Sequence, residues 1–251
     1  IYRKSYRKIH KKLILSIYKN NIYVADNIGF IYSIDIENGK LGWIKNYGIP
    51  IKSNIKIFDD KIYLIDQDNK IFSMNITDGS KIWDILSMSS FIKSQNLLTL
   101  ALSKKGDLIA LNSSADLFKI DGRTGDIYWS SNTLKSLLPD ATDFFSSSEL
   151  VVTKDEVILS AGSSTFSYNL SSGYINWENK VSSVTTPVID GKNIFLFTEN
   201  GYFVILEKNT GRIISSTNIL KILKNKYQKT KITGFIMGSG KLYTVTLSGH
   251  L

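Results

Sequence analysis

The sequence predicts an all-β protein, a β-propeller of four-stranded blades. Three observations carry this. One unit recurs five times at a spacing of roughly 40 residues. Each copy holds short strands rich in β-branched and aromatic residues, the side chains that suit a pleated surface buried on both faces. Each also closes on a turn of fixed length ending in Gly. Several strands per unit, repeated at that period, are the mark of a propeller.

The turns are the firmest register. They are Asp35-Ile36-Glu37-Asn38-Gly39, Asn75-Ile76-Thr77-Asp78-Gly79, Asp121-Gly122-Arg123-Thr124-Gly125, Asn169-Leu170-Ser171-Ser172-Gly173 and Glu207-Lys208-Asn209-Thr210-Gly211. The opening Asp or Asn can cap its turn by accepting backbone N–H groups. The closing Gly supplies a positive φ without steric cost. Four residues beyond the Gly stand Trp43, Trp83, Trp129 and Trp177, with Ser215 in the fifth position. A Trp recurring there begins the next strand and is expected to lie in the seam between adjacent blades, burying about 150–250 Å².

Alignment on the turn Gly brings the strands into register. Ile22-Tyr23-Val24 matches Ile62-Tyr63-Leu64, Leu108-Ile109-Ala110, Ile194-Phe195-Leu196 and Leu242-Tyr243-Thr244. The following strand matches in Ile31-Tyr32-Ser33-Ile34, Ile71-Phe72-Ser73-Met74, Leu117-Phe118-Lys119-Ile120 and Phe203-Val204-Ile205-Leu206, and the fourth copy fits after a one-residue shift. The Trp residues are spaced by 40, 46 and 48, with Ser215 38 further on. The excess sits around Ser130–Ser148 and reads as a projecting loop, the kind of insertion on which partners dock. Within it Leu137, Leu138, Asp140 and Asp143 are the candidate partner-binding residues, apolar side chains for an interface core and acids for its rim. A sixth unit begins at Lys241-Leu242-Tyr243 and stops at Gly249-His250-Leu251, before its own turn. The expectation is about five and a half blades of a seven- or eight-bladed propeller, over residues 13–251, truncated mid-blade at the C-terminus.

Net charge is +9, but six of the cations fall in residues 1–12, which hold no acid. This basic segment reads as a linker or solvated edge, although such a run can also meet anionic surfaces. No apolar run reaches the length of a transmembrane helix. The absence of cysteine removes disulfides, thiolate metal sites and a cysteine nucleophile.

Candidate catalytic groups do not assemble. His10 and His250 are the only histidines and lie near the chain ends. Asp66-Gln67-Asp68-Asn69-Lys70 has some look of a calcium loop but lacks its Gly and closing Glu, and reads as a β-turn. Gly238-Ser239-Gly240-Lys241 fails the spacing of a phosphate loop and reads as a hairpin. Aromatic residues fall at core positions of strands, which argues against a nucleic-acid platform.

The pattern of paired strands, turn, Gly-Lys and Trp resembles the PQQ-like repeat of quinoprotein-type propellers from Lys12 onward. Within it, Ile62-Tyr63-Leu64-Ile65-Asp66-Gln67-Asp68-Asn69 is similar to a blade of the BamB family of outer-membrane β-barrel assembly lipoproteins. The loss of Trp after Gly211-Arg212 is similar to that family's penultimate blade. The resemblance implies a non-enzymatic scaffold without cofactor or metal. It would sit at the periplasmic face of the outer membrane, held by a lipid anchor not present in this chain, and would dock on the periplasmic POTRA domains of the barrel insertase. Two other readings stay open: another PQQ-like or WD40-like binding module, sensory or adhesive, and a fragment of a quinone-dependent dehydrogenase.

Overall fold

A computed structural model describes residues 12–87, 98–133, 147–183, 185–222, 230–247 and 249. The first sheet holds β1 (Leu13–Tyr18), β2 (Asn21–Asp26), β3 (Phe30–Asp35) and β4 (Leu41–Asn46). The second holds β5 (Lys56–Phe58), β6 (Lys61–Ile65), β7 (Lys70–Asn75) and β8 (Lys81–Leu86). The third holds β9 (Thr99–Leu102), β10 (Leu108–Leu111), β11 (Asp116–Ile120) and β12 (Ile127–Asn132). The fourth holds β13 (Val151–Val152), β14 (Glu156–Ala161), β15 (Ser164–Asn169) and β16 (Ile175–Asn179). The fifth holds β17 (Val188–Asp190), β18 (Asn193–Phe197), β19 (Tyr202–Glu207) and β20 (Ile213–Asn218). A single 3₁₀ turn (Leu220–Ile222) precedes a two-stranded sheet of β21 (Ile232–Gly238) and β22 (Lys241–Thr246). In every four-stranded sheet the strands run in chain order from one edge to the other, the meander of a propeller blade.

Burial follows strand position. The second strands are nearly fully buried, as in Ile62 to Ile65 of β6, whereas the fourth strands are largely exposed, as in β8 and β20. Gly238-Ser239-Gly240-Lys241 forms the two-residue hairpin between β21 and β22, with Ser239 at φ 52° and Gly240 at φ 69°.

In the first four sheets the turn between the third and fourth strands is capped by its first residue, Asp35, Asn75, Asp121 or Asn169. Asp35 Oδ1 accepts the amides of Glu37 and Asn38 at 2.9 and 3.0 Å, and Asn169 Oδ1 accepts those of Ser171 and Ser172 at 3.0 Å. One residue later in the motif the ladder slips. Ser33 opposes Trp43 while Ile34 opposes Leu41, so Gly42 is an extra residue, a β-bulge. Ile82, Asn176 and Ile214 are the extra residues of the second, fourth and fifth sheets.

The bulge turns the Trp toward the next sheet. Trp43 Nε1 donates to Ile76 O at 3.0 Å and Trp83 Nε1 to Gly122 O at 3.0 Å. Trp129 Nε1 donates to Leu170 O at 3.1 Å and Trp177 Nε1 to Lys208 O at 2.8 Å. Each indole therefore reaches the turn of the following sheet, and its ring covers that turn's Gly. A Cβ on Gly79 would lie 2.7 Å from the Trp43 ring, and one on Gly125 2.9 Å from the Trp83 ring. Gly173 and Gly211 stand in the same relation to Trp129 and Trp177. Gly39 has no atom within 4 Å of such a position. Small Ser residues face the indoles across the ladder at Ser33, Ser73 and Ser167; opposite Ser215, where the indole is missing, the residue is Ile205.

Two compact units divide the chain: Ile1–Ser114 with Ile120–Tyr128, and Ala115–Lys119 with Trp129–Leu251. In the first, Tyr23, Ala25 and Ile31 pack with Ile51, Ile62, Leu64, Phe72 and Met74, and Trp43 and Tyr47 close over them. In the second, Ile158 and Trp177 pack with Ile194, Leu196, Val204 and Leu206. Removing such surface from water stabilises by about 25 cal/mol per Å².

Two predictions follow from these contacts. Gly39→Ala should cost only the strain of its φ of 68°, about 1 kcal/mol. Gly79→Ala, at the same φ, must also displace an indole and should cost about 1–3 kcal/mol more. Denaturant unfolding of the two variants against the parent checks this difference. Burial also pushes the Tyr63 and Tyr168 phenols up to about 12. The folded state therefore holds both protons beyond pH 10, and stability present below the ordinary tyrosine value falls as pH rises from about 10 to 12. Absorbance titration of the 13 tyrosines should show these two ionising late, together with unfolding.

Candidate functional site

Trp43, Trp83, Trp129 and Trp177, with Gly79, Gly125, Gly173 and Gly211, are engaged in joining sheets, and Gly39 completes its own turn. Leu137, Leu138, Asp140 and Asp143 fall between β12 and β13 and lie outside the described residues, as do His10 and His250. Asp66 is 4 % exposed and its Oδ1 accepts the amides of Asp68 and Lys70 at 2.8 and 3.0 Å. Its carboxylate caps the turn before β7, although burial raises its pKa. Among the described residues no group of three or more His, Cys, Asp or Glu converges on a possible metal position. No helix among them is long and apolar enough to cross a membrane.

The first unit contains a cavity of about 370 Å³ at the end of the second and third sheets where the β5–β6, β9–β10 and β11–β12 turns lie. Phe58, Asp59, Lys61 and Tyr63 come from the β5–β6 side. Lys105, Gly106 and Asp107 come from the β9–β10 turn, and Asp121, Arg123 and Tyr128 from the β11–β12 turn and the start of β12.

Two close approaches shape it. The Phe58 ring lies over Gly106, where a Cβ would meet its Cδ1 at 2.7 Å. Tyr63 Oη donates to Gly122 O at 3.1 Å, and a Cβ on Gly122 would sit 2.8 Å from that oxygen. Gly122 is not at positive φ, so glycine is needed there for space and not for conformation.

Asp121 organises the wall. Its Oδ1 accepts the Arg123 amide at 2.8 Å, and Oδ2 accepts Tyr128 Oη at 2.8 Å and Arg123 Nη2 at 3.3 Å. The Arg123 guanidinium, its amide and the Tyr128 hydroxyl together hold this carboxyl far below the usual carboxylate range. In return Asp121 raises the Arg123 and Tyr128 pKa values. On the other wall Lys61 Nζ stands 3.5 Å from Asp59.

Sequence reading did not single out this cavity, yet the third copy departs from the repeat at two positions that line it and at Gly122, which packs against Tyr63 of the lining. Gly122 replaces the Ile36, Ile76, Leu170 and Lys208 of the other turns. Arg123 stands where they have Glu37, Thr77, Ser171 and Asn209, and Tyr128 where they have Gly42, Ile82, Asn176 and Ile214.

Blades of sequential strand order, joined by an indole that docks on the next turn, define a PQQ-like β-propeller. A family model described as outer membrane protein assembly factor BamB matches residues 11–217, and the chain belongs to that family. It is 20% identical over 235 residues to the outer membrane protein assembly factor BamB of Moranella endobia strain PCIT, an alignment covering 81% of this chain and 56% of that protein. The chain thus spans about half the length of this curated relative. Among solved structures, BamB from Moraxella catarrhalis is similar with a TM-score of 0.63 at 14% identity, over 95% of this chain and 82% of that one. The computationally designed Ika8 protein is similar with a TM-score of 0.71 at 14% identity, over 94% and 69%. A quinohemoprotein alcohol dehydrogenase from Comamonas testosteroni is similar with a TM-score of 0.63 at 12% identity, over 83% and 43%. These structural likenesses establish the propeller fold.

Asp121 yields a pH-dependent prediction. Its lowered pKa means that its contribution to stability is present above about pH 4, the ordinary carboxylate value, and fades as the pH falls below it. Asp121→Asn should be less stable than the parent at pH 7, and the two should converge as the pH drops toward 2. Thermal midpoints across that range check it; a difference that persists undiminished at the acid end would count against the assignment.

Proposed function

We propose that the protein is a non-catalytic interaction scaffold of the BamB type that supports assembly and insertion of outer-membrane β-barrel proteins at the periplasmic face of the outer membrane. The family match over residues 11–217 carries this reading. Its proposed partner is the set of periplasmic POTRA domains of the barrel insertase. The chemistry of the described residues supports a binding role. The carboxylates of Asp35, Asp66 and Asp121 hold turns together, and the aromatic residues of β2, β6 and β15 are packed into cores. What remains for recognition is the loops and the edges of the sheets. The outer strands expose Leu41, Ile44, Ile82 and Leu86, interspersed with Lys45 and Lys81, so an added strand could pair there only where the lysines allow it. Within this reading Leu137, Leu138, Asp140 and Asp143 are the proposed contact residues.

Calorimetric titration of the full-length protein with the soluble POTRA region of its own organism's insertase, at moderate salt, tests the proposal. Saturable one-to-one binding is expected. Leu137→Ala combined with Leu138→Ala should weaken it at least about tenfold, roughly 1.4 kcal/mol. No binding by a well-folded protein would overturn the reading.

A further inference from the structure

The cavity beside Asp121 is lined by charged and aromatic side chains, and its chemistry follows from which of the charges are paired within the fold. The close approach of Tyr63 and Gly106 accounts for Gly122, but the joint between sheets, which takes only a carbonyl, does not account for Arg123 and Tyr128. Both line the cavity. A volume of about 370 Å³ suits two amino-acid residues, at the lower end of ordinary ligand sites.

Its charges are not evenly spent. Asp121 is committed to Arg123 and Tyr128, and Asp59 faces Lys61. Arg123 uses Nε and Nη2 on Asp121, at 3.5 and 3.3 Å, which leaves Nη1 with no partner among the described residues on a side chain that is 77% exposed. Lys105 Nζ likewise has none among the described residues, since only its backbone amide is held, by Ser103 Oγ. Lys105 and Arg123 therefore line the same cavity as two aromatic residues, Phe58 and Tyr128, which are 36% and 54% exposed. A guanidinium already fixed along one edge is preorganised to receive a carboxylate on another. Asp107 also lines the cavity, and its carboxylate adds to the raised pKa of Arg123.

We propose that this cavity binds a carboxylate carried next to an aromatic or apolar side chain on a peptide, with Arg123 and Lys105 receiving the carboxylate and Phe58 and Tyr128 enclosing the apolar group. The carboxylate is either an acidic side chain or a peptide's C-terminal end. This site is independent of the docking surface proposed above.

The test uses the whole chain and three probes followed by calorimetry and by amide chemical shifts. Acetyl-Phe-Glu-amide presents a side-chain carboxylate, acetyl-Gly-Phe a chain-end carboxylate, and acetyl-Phe-Gln-amide none. At least one acid probe should bind saturably with a Kd of millimolar order or tighter, and at least about tenfold better than the neutral one. Which acid probe binds identifies the source. Lys105→Ala, which breaks no contact of the fold, should weaken binding by about threefold or more, and Arg123→Gln by more than that. Equal binding of the neutral probe, indifference to Lys105→Ala, or no saturation by either acid probe at about 10 mM would overturn the proposal.

Discussion

The indole N–H donated to the carbonyl of the next turn is the contact on which the rest of this structure depends. A sheet of four short strands cannot bury both faces alone, and its stability comes from the neighbours it is pressed against. Here that pressing is specified by three residues acting together. The bulge before Trp43, Trp83 and Trp177 re-aims the strand, the Ser opposite leaves the ring room, and the Gly of the following turn lets the ring lie flat against backbone. In the fifth sheet, where the indole is missing, Ile205 opposes an exposed Ser215.

A fold held by backbone acceptors frees side chains for other uses. The first side chain after each turn's opening residue is Ile, Ile, Gly, Leu and Lys in successive copies, because the carbonyl and not the side chain takes the indole. The third copy uses that latitude. With Gly122 in place, the β9–β10 turn can approach and Tyr63 can reach the Gly122 carbonyl, beside the cavity that Arg123 and Tyr128 line. The Asp121 carboxylate, elsewhere in the repeat a simple turn cap, there also orients a cation and a phenol. Arg123 and Tyr128 thus make the Asp121 cap the centre of a polar wall as well.

Much of this architecture was legible in the sequence because it rests on local rules repeated five times. The period, the strand pairs and the capped turns each express short-range preferences of Asp, Asn, Gly and β-branched residues, and repetition made them stand out from chance. The partner of each Trp was less legible. A Trp at the head of a strand announces burial, but not that its N–H meets a carbonyl more than 30 residues away, a contact set by the placement of two sheets. The cavity was missed for a related reason. Asp121, Arg123 and Tyr128 were visible as a turn and a strand, but Phe58, Lys105 and Asp107 belong to other turns and meet them only in the folded chain. A usable signal was present in the third copy's departures from the repeat, which mark positions where the demands of the common fold have given way to something else. Leu137, Leu138, Asp140 and Asp143 were chosen by contrast from the length of an insertion, a criterion that marks a place for binding without fixing any geometry.

The joints also impose an order in time. Each indole is separated from its acceptor by 31 to 41 residues, always toward the C-terminus. No joint can close until the next blade has been synthesised nearly to its final strand. A chain emerging from the ribosome therefore always carries one finished blade whose Trp has nowhere to rest, and the unfinished front moves along the polypeptide blade by blade. Contacts of such modest sequence separation keep the entropy of each closure small and the pathway local. The exposed front is brief at every step, but it recurs with every blade, so the hazard of misassociation during synthesis grows with the number of joints and not with the size of any one of them.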